Sequence, residues 1–150
     1  MKTKILALFV TACMLASCAK KDSESSTSAK SSQEPVAECF AHTAAKDSAS
    51  LRINVGSDGI VNGELDYKLF EKDQNRGKIE GKINGDTLIA QYKFMSEGIE
   101  STREVAFLKK DGNWVEGFGP VEEKDGGMTF SERSKLDFTK GLAFKKTECR

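Results

Sequence analysis

The sequence predicts an all-β fold: one small antiparallel up-and-down (meander) β-barrel of about eight strands over residues 36–150, after a signal peptide (1–17) and a disordered linker (18–35). Three observations lead there. Apolar and polar residues alternate with period two in segment after segment, which places one face of each segment on a core. Short runs of Gly, Asn and Asp separate those segments. No long stretch repeats with the 3.6-residue period of a helix. A sheet of this size with one apolar face closes on itself and loses its edges; a two-layer sandwich is the alternative.

The chain opens "MKTKILALFVTACMLASC". Lys2 and Lys4 make a basic start, and Ile5 to Leu15 form an apolar run broken only by Thr11. That run is too short for a spanning helix of about 20 apolar residues, but suits a secretory signal peptide. It ends Leu15-Ala16-Ser17-Cys18. This ending resembles the lipobox of bacterial lipoproteins: an aliphatic residue, two small residues, then the cysteine that becomes residue one. The resemblance implies that the Cys18 thiol carries diacylglycerol and that the preceding peptide bond is cut. Two or three acyl chains would anchor stably where one is marginal, at about 0.8 kcal/mol per buried methylene. The resemblance also bears on location. Ala19, rather than Asp, follows the cysteine, which in enteric-type lipoproteins implies the outer membrane. The run Lys20-Lys21-Asp22 and Glu24 resembles surface-export signals of some other bacteria, with a plain solvated tether as the alternative.

Residues 19–35, "AKKDSESSTSAKSSQEP", include six serines and no aromatic residue. Such a segment cannot bury enough apolar surface to offset its ordering entropy. As a flexible chain it spans roughly 20–25 Å, and Pro35 makes a natural boundary.

Removing residues 1–17 takes out Lys2, Lys4, Cys13 and no acid, so 23 basic and 23 acidic residues become 21 and 23. Near-neutral, interspersed charge argues against nucleic acid as a partner, which favours a basic patch. Membrane contact is left to the lipid on Cys18. With Cys13 removed and Cys18 acylated, Cys39 and Cys149 remain. In an oxidising compartment they are expected to pair; two free thiols are the alternative.

The folded part then reads strand by strand. Ala49, Leu51, Ile53 and Val55 share a face in "ASLRINV", opposite Ser50, Arg52 and Asn54. Val61, Gly63, Leu65, Tyr67 and Leu69 do so in "VNGELDYKL". Ile79, Gly81 and Ile83 alternate in "KIEGKI", and Leu88, Ala90, Tyr92 and Phe94 in "LIAQYKF". "REVAFLKK" and "NWVEGFG" are less clean, and "GMTF" and "LAFKKTEC" are shorter candidates. "GSDG" (56–59), "NGD" (84–86), "SEG" (96–98), "KDGN" (110–113) and "KDGG" (124–127) supply hairpin turns. "SERSKLDF" (131–138) reads as a short helix or as a loop with a strand. In outline the barrel is lipocalin- or avidin-like. The whole pattern resembles small Gram-negative lipoproteins with a lipocalin-like β-barrel, a resemblance that brings no activity with it.

Candidate chemistry is sparse. His42 is the single histidine and forms Cys-x-x-His with Cys39. Two ligands are not a metal site, residues three apart on a strand face opposite ways, and Cys39 is wanted by Cys149. Nothing selects a nucleophile to work with His42, so no catalytic residue and no cofactor is expected. "DQNRG" (73–77) begins like a calcium loop, but Asn84 stands where the terminal acid belongs; it reads as a hairpin loop. Gly117 and Gly119 do not open a helix, so a phosphate-binding loop fails. The inward face offers more. Tyr67 and Tyr92 bring hydroxyls into it, and Arg103 or Glu104 on the next strand could partner them. Small Gly63, Gly81 and Ala90 either permit tight curvature or leave space for one small ligand. Tyr67, Tyr92 and Arg103 are therefore the candidate ligand-binding interior, weighed against a filled core with a small polar network. Trp114 and Phe118 fit core or rim. The expected function is a non-enzymatic, membrane-anchored envelope lipoprotein of unspecified role, whose barrel either binds a small apolar ligand or acts simply as a structural module. The alternative is a protein-binding module like the lipid-anchored lysozyme inhibitors, although "SEGIES" does not match the Ser-Gly-x-x-Tyr loop such inhibitors present.

Overall fold

The computed structural model describes residues 36–149. The expected signal peptide (1–17), Cys18 and the expected linker (to residue 35) lie outside them. Ten strands run in chain order: β1 (Glu38–Ala44), β2 (Asp47–Val55), β3 (Ile60–Lys68), β4 (Asn75–Asn84), β5 (Thr87–Ser96), β6 (Ile99–Lys110), β7 (Asn113–Gly117), β8 (Val121–Lys124), β9 (Gly127–Phe130) and β10 (Ala143–Thr147). β1 to β7 form an antiparallel meander. β10 then pairs with both β7 and β1, which closes an eight-stranded barrel. The β8–β9 hairpin interrupts the up-and-down order and joins the outside edge of β6 through one parallel pairing, Arg103 with Met128. "SERSKLDF" holds one 3-10 turn, Arg133–Lys135, followed by a bridge between Asp137 and Phe118.

Alternation dictates the interior. Leu51, Ile53, Val61, Leu65, Ile79, Leu88, Phe107 and Phe144 are completely buried, and Phe40 and Trp114 nearly so. Edge-to-face contacts of Phe40 with Trp114 (6.5 Å) and of Phe107 with Phe144 (5.5 Å) pack this end of the barrel. Trp114 is therefore core, whereas Phe118, just past β7, is half exposed.

Turn chemistry sets the register. Glu97-Gly98, Asp111-Gly112 and Asp125-Gly126 all have positive φ at both central positions, the mirror-image turn that matches strand twist. The "DQNRG" segment differs from expectation. Asn75, Arg76 and Gly77 already pair with Tyr67, Asp66 and Leu65, so the loop is the preceding stretch, residues 69–74. The β1–β2 hairpin carries no glycine; Ala45 itself takes φ 46°.

Cys39 and Cys149 form a disulfide with 5.2 Å between their Cα atoms. It joins the start of β1 to the chain just beyond β10, at the end of the barrel where Val36 enters.

Candidate functional site

Above the apolar layer, toward the far end from the disulfide, the interior turns polar. The β5–β6 register sets Arg103 directly opposite Tyr92, and β3 delivers Tyr67 beside Tyr92, with ring centroids 6.0 Å apart. Tyr92 stacks on Phe94 at 4.7 Å. The Arg103 guanidinium lies over all three rings, 5.5 Å from Tyr67, 5.5 Å from Tyr92 and 5.2 Å from Phe94. A cation at such distances is attracted by the ring faces, so this side chain is held in place. The sequence thus brings its three candidate residues together.

Their partners differ from expectation. Tyr67 Oη donates to Glu116 Oε1 at 2.7 Å, and Tyr92 Oη donates to the Leu65 carbonyl at 2.8 Å. Neither Arg103 nor Glu104 receives a tyrosine hydroxyl. Glu104, next to Arg103 on one strand, must face the other way. There it accepts from the Phe130 N–H (2.9 Å) and from Arg133 (2.5 Å), which pins the β8–β9 segment to the barrel wall. With both hydroxyls satisfied and both rings buried, the tyrosines form a floor rather than the walls of an open space. Gly63 and Gly81 serve curvature: a Cβ on either would lie 2.1 Å from the Arg52 carbonyl oxygen or 2.2 Å from that of Ile89.

Glu116 is the residue that sequence reasoning missed. A signal existed: in "NWVEG" it stands two residues from Trp114 and so shares its inward face. Burial raises its pKa above the ordinary carboxylate value, while the Tyr67 hydrogen bond and the charges of Arg103 and His42 pull the other way. Burial and Glu116 together push the Tyr67 hydroxyl well up, and burial does the same for Tyr92. For a carboxyl group raised in the folded state, the native protein holds the proton longer than the unfolded chain. Its contribution to stability is full below the unfolded pKa near 4.5 and is lost as pH rises through the folded value. The wild-type protein should therefore lose stability relative to Glu116→Gln as pH climbs from about 4 into the neutral range. Urea midpoints of the two proteins across that range check this; parallel curves would refute it.

The polar layer opens sideways. β6 has 12 residues and β7 only 5, and β7 covers β6 only from Ala106 to Lys110. The remaining edge of β6 is met by β9. Between them lies a notch of about 260 Å³, lined by Arg103, Val105, Glu116, Phe118, Val121, Met128 and Phe130 among others. Phe118, Val121 and Met128 are 51%, 51% and 41% exposed. Of the three candidate residues, only Arg103 reaches this space.

His42 Nδ1 donates to the Ala143 carbonyl at 3.1 Å, and Cys39 is consumed by the disulfide, so the Cys-x-x-His pair makes no site. Among the described residues no group of three His, Cys, Asp or Glu side chains could hold a metal ion, and no helix is long and apolar enough to cross a membrane. The chain matches no protein-family model, and neither the curated proteins nor the solved structures contain a match to it.

Proposed function

We propose that this chain is a non-enzymatic envelope lipoprotein, held in the outer membrane by lipid on Cys18, whose β-barrel domain binds a small, largely apolar ligand. The observation that carries the ligand reading is the notch: there the interior Arg103 meets a cluster of exposed apolar side chains. The barrel axis is a weaker place for a ligand, because large side chains fill it. Anchoring rests on the Leu15-Ala16-Ser17-Cys18 sequence. In cell fractionation the wild type should sediment with membranes and incorporate labelled palmitate. Cys18→Ser should lose the label and the membrane retention; a variant that stays in the membrane fraction defeats the anchor. Native mass spectrometry of the full chain from its own host tests the ligand: a co-purifying small molecule supports it, and an empty protein counts against it.

The same filled axis favours a second reading, a protein-binding module. Its contact surface would be the β8–β9 hairpin with the half-exposed Phe118, Val121 and Met128. A pull-down that captures one envelope partner, lost in Val121→Asp, would support this reading over the first.

A further inference from the structure

We propose that the notch between β6, β7 and the β8–β9 hairpin binds a small monocarboxylate with an apolar body. The Arg103 guanidinium receives the carboxylate, and Phe118, Val121 and Met128 receive the body. This rests on the small-ligand reading above and names the ligand's chemistry.

Three observations carry it. First, the Arg103 side chain makes no hydrogen bond and no ion pair among the described residues, and its guanidinium contacts only aromatic rings. Every other Lys and Arg among the described residues is exposed, and several of them, such as Arg133 with Glu104, are paired all the same. A guanidinium clamped over three rings presents its planar fork in a fixed direction, the geometry that suits a carboxylate. Second, head and body sites adjoin. Met128 is the register partner of Arg103, and Val121 stands opposite Phe130 on the same hairpin. The exposed apolar side chains therefore begin where the cation ends. Third, charge and size limit the ligand. Glu116 lies at the back of the notch, held by Tyr67, and Glu104 is engaged by Arg133 and the Phe130 N–H. One cation beside a carboxyl group tolerates a singly charged head better than a doubly charged phosphate. The 260 Å³ volume lies just below the range of about 300–1,000 Å³ that takes drug-sized ligands.

The test uses the full chain in phosphatidylcholine nanodiscs, titrated calorimetrically with 4-phenylbutyrate and with its neutral amide, empty nanodiscs being subtracted. The wild type should bind the acid more tightly by a factor of roughly ten to a hundred, as expected for hydrogen bonds to a charged group. Arg103→Met should abolish that preference, weakening the acid far more than the amide. If this variant does not fold, Arg103→Lys, which keeps the charge and loses the fork, should lower the preference severalfold. Val121→Asp should weaken both compounds. Equal affinity for acid and amide, or a preference that survives at Arg103→Met, overturns the carboxylate proposal and leaves the small-ligand reading standing. Binding of neither compound also overturns the carboxylate proposal, while the small-ligand reading stands or falls on the native mass spectrum.

Discussion

Replacing Cys39 and Cys149 together by alanine should lower stability by about 4–5 kcal/mol, because the bridge closes a loop of 110 residues and so removes much unfolded-state freedom. With a urea dependence of about 1–3 kcal/mol/M, the unfolding midpoint should fall by roughly 2 M. The loss should be uneven. β10 pairs with β1 at only three positions, Cys39–Thr147, Phe40–Lys146 and Ala41–Lys145, and with β7 at only two. The disulfide compensates for that thin hydrogen bonding at the barrel's closing strand. Amide exchange should therefore quicken most in β10 and along β1, and least in the β3–β4–β5 ladder. A midpoint unchanged in the double variant, or exchange that quickens evenly, would mean that side-chain packing of Phe40, Trp114 and Phe144 closes the barrel unaided.

Gly81→Ala should be strongly destabilising although it adds a single methyl. A Cβ there would sit 2.2 Å from the Ile89 carbonyl oxygen and 2.5 Å from the Ala90 Cα, backbone atoms of the paired strand that no rotamer change can move. The same holds at Gly77, where the Lys93 carbonyl oxygen is 2.0 Å away, and at Gly63, where the Arg52 carbonyl oxygen is 2.1 Å away. These inward glycines let β2 to β5 coil tightly enough to close around a narrow core. Forcing one methyl in should cost about 3 kcal/mol or more, the upper end of overpacking penalties. Lys82→Ala, next along the strand but facing water, should stay within about 0.5 kcal/mol. Chemical denaturation of both variants decides it. A Gly81→Ala protein as stable as Lys82→Ala would show that the strands separate at little cost.

β2, β3, β4 and β5 were legible in the sequence because each packs one face on the core and leaves the other in water. Their burial follows the alternation residue by residue. β6 was blurred for a physical reason. Residues 104–107 are buried on both faces, since the β8–β9 segment covers Glu104 from outside. Two buried faces erase period two. β8, with every residue exposed, has no core to announce it, and the β1–β2 turn hides because Ala45 takes a conformation usually left to Gly or Asn. The site was half legible. Tyr67 and Tyr92 converge because they lie on faces that alternation assigns inward, and the β5–β6 register then sets Arg103 rather than Glu104 beside them. Glu116 comes from a strand 49 residues from Tyr67 in sequence, and no local pattern connects the two. The notch depends on the unequal lengths of β6 and β7, which no periodicity encodes.

The order of the strands also delays the closing of the barrel. β7 ends at Gly117 and its partner β10 begins only at Ala143. All of residues 118–142 must follow β7 before its partner is available. Until then, seven walls can stand while β1 and β7 each keep a bare edge. Long-range pairing of this kind is slow to form, and bare edges recruit neighbouring chains. The β8–β9 insertion, which shapes the notch, therefore also prolongs the stage at which an incomplete barrel is exposed to its neighbours before β10 seals it.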